Sequence, residues 1–153
     1  MNYIVLSSPR TGSSMLCAAL SDTLLAGKPA EFMHKDALKK ANHPEADLET
    51  LKLYVKKIMS ENVSSNGVFG MKMHYNQFGN LFSQKQNGFQ QGLEFLGKFQ
   101  KFILIYRYDK LLQAISEMLA WESNLWGSDE EKSRFSLGRP FQEPDVLSLT
   151  RML

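Results

Sequence analysis

The chain has 153 residues, of which 43% are hydrophobic, 22% charged and 11% aromatic, and 18 basic against 16 acidic side chains give a net charge of +2. This composition is typical of one globular domain over residues 1–153, and it excludes collagen-like, mucin-like and disordered proteins. The small net charge argues against nucleic acid as the main partner, and no apolar run approaches the roughly 20 residues of a membrane-spanning helix. The single cysteine, Cys17, excludes an intramolecular disulfide and favours a reducing, cytoplasmic location.

Apolar patterning along the chain predicts strands that alternate with helices. A short strand at residues 3–6 is followed by a polar turn and by a helix at 13–25, which Gly27 ends. The remaining predicted elements are an irregular or weakly helical stretch (28–44), a helix (47–59), a polar loop (62–67), a strand (68–73), short helices and loops (76–97), a strand (102–106), a helix (109–124) and a helix start (145–153). The continuously apolar run at 102–106 predicts a central strand, and Asp109 stands where an N-cap belongs. This order predicts an α/β fold with a largely parallel sheet.

The polar turn after the first strand, residues 7–14 (SSPRTGSS), is a candidate anion site. The N–H groups at a helix start are unpaired and carry partial positive charge, Gly12 lets a ligand approach the backbone, and Arg10 adds a fixed charge. The turn has neither a Walker A motif nor a G-x-G-x-x-G motif, which argues against an ATPase, a GTPase or a dinucleotide oxidoreductase. A simple serine-rich cap before a core helix explains the same residues equally well.

A second polar turn, residues 106–109 (YRYD), again joins a strand to a helix. Ligands of open α/β sheets bind at the carboxyl ends of strands, so Arg107 is expected at the same edge as Arg10. Two arginines suit a ligand with two separate anionic groups. The alternative is a structural ion pair between Arg107 and an acidic neighbour such as Asp109.

Two further segments contain titratable side chains. Glu31 follows the first helix in an apolar neighbourhood, which predicts a raised pKa and suits a general base, whereas a solvated loop carboxylate is the simpler interpretation. Lys72 and His74 end the predicted strand 68–73 on the face opposite to its methionines. His34 is either an acid–base partner of Glu31 or has no chemical role, and no spacing of histidines or cysteine predicts a metal site.

The motifs follow one another in an order that resembles the bacterial trehalose-type sulfotransferases, the Stf family. They are residues 6–14 (LSSPRTGSS), 27–32 (GKPAEF), 70–74 (GMKMH), 107–109 (RYD) and 113–116 (QAIS). Ala120 and Trp126 also stand where members of that family tend to have these residue types, so the resemblance covers most of the chain. It implies a P-loop-like parallel sheet flanked by helices and a transferase that uses 3′-phosphoadenosine 5′-phosphosulfate as sulfuryl donor.

The resemblance also implies a role for individual residues. Glu31 matches the general base proposed for the family, and Arg10 matches the residue that steadies the leaving group. Arg107 and Ser116 match the pair that grips the 3′-phosphate of the donor. The residues that it implies for the 5′-phosphosulfate are Pro9, Arg10, Thr11, Gly12, Ser13 and Ser14. The implied acceptor is a small hydroxyl compound such as a carbohydrate or glycolipid, and family members are often homodimers.

Members of that family are considerably longer than this chain, so the resemblance predicts a fold that is incomplete at its C-terminus. Two other functions therefore stay open. One is a non-catalytic or truncated domain that only binds an adenosine bisphosphate. The other is a different P-loop-like phosphotransferase, which would bind ATP in preference to the 3′-phosphorylated nucleotide.

Overall fold

The computed structural model of the chain describes residues 1–43, 48–83, 87–124 and 126. These residues belong to two compact units, the first ending at Tyr106 and the second beginning at Arg107. The first unit contains β1 (Asn2–Ser7), α1 (Ser13–Asp22), α2 (Lys35–Lys40), α3 (Leu48–Glu61), β2 (Phe69–His74), α4 (Tyr75–Phe82), α5 (Gly88–Leu96) and β3 (Lys101–Ile105). The second contains α6 (Lys110–Ser123), which Asp109 caps as predicted by accepting a hydrogen bond from Leu112 N at 2.8 Å. The helix start predicted at 145–153 lies outside the described residues.

The described strands form one parallel sheet in the order β2-β1-β3. Ser7, the last residue of β1, pairs with His74 at the end of β2 and with Ile105 at the end of β3. All three strands therefore end at the same edge of the sheet, and helices connect them as parallel strands require. The predicted α/β fold with a parallel sheet is confirmed.

Side chains alternate across the sheet, so each face has its own apolar layer. Tyr3 and Val5 point to one face, where they pack with Cys17 of α1. The other face carries a larger layer to which α2, α3, α4 and α5 contribute. Its buried members are Ile4, Met33, Leu38, Leu51, Tyr54, Val55, Ile58, Phe69, Met71, Met73, Phe82, Phe95 and Phe99.

Two predicted elements need correction. The first helix ends at Asp22 rather than at residue 25, because the backbone turns into the left-handed region at Leu24 (φ 59°) before it reaches Gly27. The strand predicted to be central is at an edge of the described sheet, and β1 is the central strand. Phe102 and Leu104 of β3 are 53% and 71% exposed, so a continuous apolar run did not mean burial on both faces.

The segment between α1 and α2 is fastened to the sheet by its backbone. The Tyr3 hydroxyl donates to the carbonyl oxygen of Ala26 at 2.8 Å, and Lys72 N donates to the carbonyl oxygen of Ala30 at 3.0 Å. The second bond occupies the side of β2 that does not pair with β1. Strand β2 is therefore buried along its whole length although it lies at an edge of the described sheet.

Gly27 is the residue in this segment that no other amino acid can replace without strain. Its φ is +74°, and an added Cβ would lie 2.8 Å from the carbonyl oxygen of Val68. Gly67 has nearly the same φ, +77°, but an added Cβ there meets nothing within 4 Å. The left-handed conformation alone costs an alanine about 1–2 kcal/mol. We expect Gly67→Ala to lower the free energy of unfolding by that amount and Gly27→Ala to lower it further.

Urea denaturation of the two variants beside the parent protein measures both losses. Equal losses would mean that the backbone around Gly27 yields to a methyl group without cost.

Candidate active site

The site is built where the strands end. Because β1 and β2 are parallel and in register, the loop that follows Ser7 and the side chain of His74 lie at one edge of the sheet. Lys72 and His74 alternate with the methionines of β2, as predicted, and so point away from the larger apolar layer. Both are nonetheless buried, at 4% and 9% exposure, so neither is a solvated residue of an exposed edge strand.

The loop after β1 has an irregular backbone that ends in the start of α1. Arg10 is in the left-handed region (φ 60°), and so is Gly12 (φ 86°), the N-cap residue of α1. Inside the loop the Thr11 hydroxyl donates to the carbonyl oxygen of Ser8 at 3.0 Å. Glycine at the N-cap has no side chain that could accept hydrogen bonds from the first N–H groups of the helix. A helix start without such a side-chain cap can donate these hydrogen bonds to a bound anion.

Glu31 is at the centre of a cluster of polar side chains. Its Oε1 lies 2.6 Å from Lys72 Nζ and 3.4 Å from His74 Nε2, and its Oε2 accepts a hydrogen bond from Gln77 Nε2 at 2.7 Å. The carboxylate keeps 30% of its side-chain surface exposed, whereas the side chain of Lys72 keeps 5%. The cluster therefore combines a solvent-accessible carboxylate with a buried ammonium group.

Two further contacts join this cluster to the loop and to α4. Lys72 Nζ also donates to Ser14 Oγ at 2.8 Å, so one ammonium group connects the first turn of α1 with Glu31. His74 Nδ1 lies 3.0 Å from Ser7 Oγ, and Gln77 Oε1 accepts from His74 N at 3.0 Å. The orientation of the carboxylate is thus set by groups from β2 and α4, which are distant from it in sequence.

The predicted raised pKa of Glu31 is wrong. Burial by itself raises the pKa of this carboxyl, but the hydrogen bonds from His74 and Lys72, together with the attraction of Lys72 and His74, outweigh it and hold the pKa well below its usual range. The apolar residues that flank Glu31 in sequence are not its surroundings in space. In the folded protein, Glu31 is a carboxylate that forms an ion pair with Lys72.

This shift ties the stability of the fold to pH. Because the pKa of Glu31 is lower in the folded than in the unfolded protein, ionisation of Glu31 stabilises the fold at pH values above its ordinary pKa of 4.5, and this stabilisation is lost as the pH falls below it. We expect Glu31→Gln to lower the free energy of unfolding by roughly 1–3 kcal/mol at neutral pH, and the difference from the parent protein to shrink on acidification.

Urea titrations of both proteins over a range of pH measure this difference. A difference that is independent of pH, or that grows in acid, would contradict the role given to the ion pair.

The other predicted site residues are placed as follows. Arg107 lies two residues beyond β3, and Ser116 lies on α6; both belong to the second unit. The expectation that Arg107 lies at the same edge of the sheet as Arg10 stays a prediction.

His34 is the N-cap of α2, where its Nδ1 accepts a hydrogen bond from Asp36 N at 3.3 Å, so its side chain has a structural role in capping this helix. Within the described ranges, no three His, Cys, Asp or Glu side chains are grouped to hold a metal ion.

Sequence reasoning did not assign Gln77 to the site, and it included Ser7 only as the first residue of the candidate anion loop 7–14. Lys72 and His74 were placed at the end of a strand and within the motif of residues 70–74, without a chemical role for either side chain. The available signal was the alternation in residues 70–74, where two polar side chains on one face of an otherwise buried strand require polar partners. Nothing local points to Gln77, whose role depends on the approach of α4 to the segment that carries Glu31.

The sequence of the chain matches the model of a known protein family. The model of the Stf0 sulphotransferases matches residues 2–145, which is nearly the whole chain. The chain belongs to the Stf0 sulphotransferase family. No curated protein matches the sequence closely enough to add to this.

Membership makes this Stf0 sulphotransferase an enzyme that transfers a sulfuryl group to an acceptor substrate. The open parallel sheet flanked by helices is consistent with the sulfotransferase fold. The resemblance found in the sequence motifs is therefore confirmed at the level of the family. Within the described part of the chain, each helix is too short or too polar to cross a lipid bilayer.

Proposed function

We propose that this sulphotransferase moves a sulfuryl group from 3′-phosphoadenosine 5′-phosphosulfate to a hydroxyl group of a small acceptor, in the class of carbohydrates or glycolipids. The observation that carries the proposal is the position of Lys72. Its ammonium group contacts Ser14 in the first turn of α1 and Glu31 at the same time. An anion-type loop and a carboxylate are thus parts of one cluster, as a donor site beside an acceptor site requires.

The donor phosphate fits the loop for electrostatic reasons. The start of α1 offers N–H groups that have no side-chain cap, together with the positive end of the helix dipole, and Lys72 adds a buried positive charge at Ser14. Arg10 is the residue proposed to contact the phosphate that bears the sulfuryl group. The loop residues proposed to bind the 5′-phosphosulfate are Pro9, Arg10, Thr11, Gly12, Ser13 and Ser14.

Arg107 and Ser116 are proposed to bind the 3′-phosphate. Support comes from the family motif and from the strand order. Because Ile105 pairs with Ser7, the chain leaves β3 at the edge at which it leaves β1, two residues before Arg107. An arginine at this point in the chain suits a second phosphate, since its planar group forms paired hydrogen bonds with phosphate oxygens.

Glu31 is proposed to act on the acceptor. In the transfer, a bond forms between the acceptor oxygen and sulfur while the bond from sulfur to the 5′-phosphate oxygen breaks, and that phosphate leaves with the electron pair. Glu31 accepts the proton of the acceptor hydroxyl, and Arg10 stabilises the charge that grows on the leaving phosphate. Such transfers depend on positioning and on charge stabilisation more than on strong bases, by analogy with phosphoryl transfer.

One observation favours a second function, binding of an adenosine bisphosphate without transfer. The Glu31 carboxylate contacts Lys72, His74 and Gln77, and its lowered pKa makes it a weak base in this arrangement.

Calorimetry with adenosine 3′,5′-bisphosphate, combined with transfer of ³⁵S from labelled donor to a panel of sugars and glycolipids, separates the two proposed functions. Binding with transfer supports the enzyme, and binding without transfer supports the second function. A preference for ATP over the bisphosphate would overturn both.

We also propose a cytoplasmic location and a homodimer. A cytoplasmic location is supported by Cys17, a free and buried thiol, because proteins of reducing compartments keep cysteines in that state. A homodimer is supported by the family resemblance.

Replacing Arg107 tests the 3′-phosphate site. We expect Arg107→Ala to weaken binding of adenosine 3′,5′-bisphosphate by about tenfold or more, because loss of one hydrogen-bonded charge costs roughly 1.5–3 kcal/mol. Binding of adenosine 5′-monophosphate, which lacks the 3′-phosphate, is expected to change little. Calorimetric titration of both nucleotides measures the two effects, and equal weakening of both would make Arg107 a structural residue.

A further inference from the structure

Lys72 has an unusual pair of partners for a buried lysine. Its Nζ lies 2.8 Å from Ser14 Oγ at the proposed donor site and 2.6 Å from Glu31 Oε1 at the proposed acceptor site. The ammonium group has three donors on a flexible stem, so it can exchange one of these partners for another with little movement of the backbone. His74, also from β2, is a further titratable group that faces Glu31, and Cys17 of α1 interacts electrostatically with both Glu31 and Lys72.

This arrangement makes Glu31 a weaker base than a solvated carboxylate. Its Oε1 lies 2.6 Å from Lys72 Nζ and 3.4 Å from His74 Nε2, and both contacts favour the ionised form of the carboxyl. Its Oε2 accepts from Gln77 and keeps one acceptor position, since each carboxylate oxygen can accept two hydrogen bonds. Loss of one of the Oε1 contacts makes Glu31 more basic toward an acceptor hydroxyl, and Lys72 is the partner that also reaches the donor loop.

We propose that Lys72 is a positioning residue that couples donor binding to the release of Glu31, because an anion on the loop of residues 8–14 competes with Glu31 for the ammonium group. The inference rests on the proposed function, since that anion is the 5′-phosphate end of the donor. The phosphosulfate end of the donor carries two negative charges and a carboxylate carries one, and Lys72 already contacts the loop through Ser14. Glu31 is thus a weaker base before the donor binds than after it has bound.

The competition has a reciprocal consequence that can be measured without turnover. If the anion draws Lys72 from Glu31, then Glu31 opposes binding of the anion, and the two effects are equal in free energy. Removing the charge of Glu31 should therefore tighten binding of the nucleotide, but only while Lys72 is present. Simple repulsion between Glu31 and the nucleotide predicts the same tightening with and without Lys72.

A double-mutant cycle tests this difference. The proteins are the parent, Glu31→Gln, Lys72→Met and the double variant, and the probe is adenosine 3′,5′-bisphosphate in calorimetric titrations at fixed ionic strength. We expect Glu31→Gln to tighten binding by about fivefold or more in the parent background, at the low end of couplings between two sites, and to change it by less than about twofold beside Lys72→Met. The same tightening in both backgrounds, or none in the parent, overturns the inference.

The parent protein alone provides a second measurement, which keeps the test valid if Lys72→Met does not fold. With ¹⁵N-labelled lysine and ¹³C-labelled glutamate, saturation with the bisphosphate should shift the Nζ resonance of Lys72 and the carboxyl resonance of Glu31 together. Binding with both resonances unchanged overturns the inference and leaves the proposed donor standing. Absence of binding to the parent protein overturns the proposed donor and the inference with it.

Discussion

Replacing Glu31 with glutamine is expected to lower the turnover number by about 10²–10⁴-fold, the usual contribution of a positioned general base. Glutamine keeps an oxygen that can accept from Lys72 and nearly the same shape, so the cluster around Lys72 stays filled. It cannot take a proton from the acceptor hydroxyl. Affinity for adenosine 3′,5′-bisphosphate should therefore not fall, and the loss should appear in kcat rather than in binding of the nucleotide.

Steady-state rates with labelled donor and calorimetric affinities measure the two quantities on the same preparation. Glu61→Gln is a matched control, because Glu61 is a 56% exposed residue that pairs with Lys57 along the surface of α3. It removes the same charge and should leave turnover unchanged. Full activity of Glu31→Gln, or an equal loss of turnover and affinity, would remove Glu31 from the role of base.

Replacing Arg10 with alanine is expected to lower the turnover number by about 10²–10³-fold, as loss of one group that stabilises charge in the transition state does. Charge grows on the leaving phosphate as the sulfuryl group departs, and the guanidinium group is proposed to meet it there. Affinity for the bisphosphate should fall by a smaller factor, because the start of α1 and Lys72 still attract the phosphate. Arg10→Lys should recover part of the loss, since it restores the charge but not the planar pair of donors.

The control for Arg10 is Lys57→Ala, which removes one positive charge from the surface of α3, where the side chain is 70% exposed. It should leave both rate and affinity as they are. A variant Arg10→Ala with full turnover would show that the charge of Lys72 suffices for the leaving group. It would leave Arg10 as a loop residue in a left-handed conformation.

The elements of the fold were largely predictable because they depend on local patterns. The strand at β2 and the cap at Asp109 follow from alternation and from the chemistry of a single side chain, and both were found within one residue of their predicted positions. The place of β3 in the sheet was not predictable in this way. An apolar run indicates that a segment is buried. Which strands lie beside that segment depends on how distant parts of the chain pack.

The same limit applies to the site. The loop 7–14 and Glu31 were singled out from their own sequence, because turn residues and a carboxylate have a recognisable chemistry. The electrostatic state of Glu31 was predicted in the wrong direction because its partners, Lys72 and His74, come from another strand much later in the chain. A pKa is set by neighbours in space, and the hydrogen bond from Lys72 N to the carbonyl oxygen of Ala30 holds the segment of Glu31 beside β2.

The alternation of side chains along β2 has a consequence for how the gene can change. Lys72 and His74 face Glu31 because Met71 and Met73 fill the opposite layer, and a single-residue insertion or deletion within β2 would exchange the two sets over part of the strand. A lysine and a histidine would then enter an apolar core while two methionines faced Glu31. A change of one residue in the length of this strand is therefore opposed both by folding and by the chemistry of the Glu31 cluster.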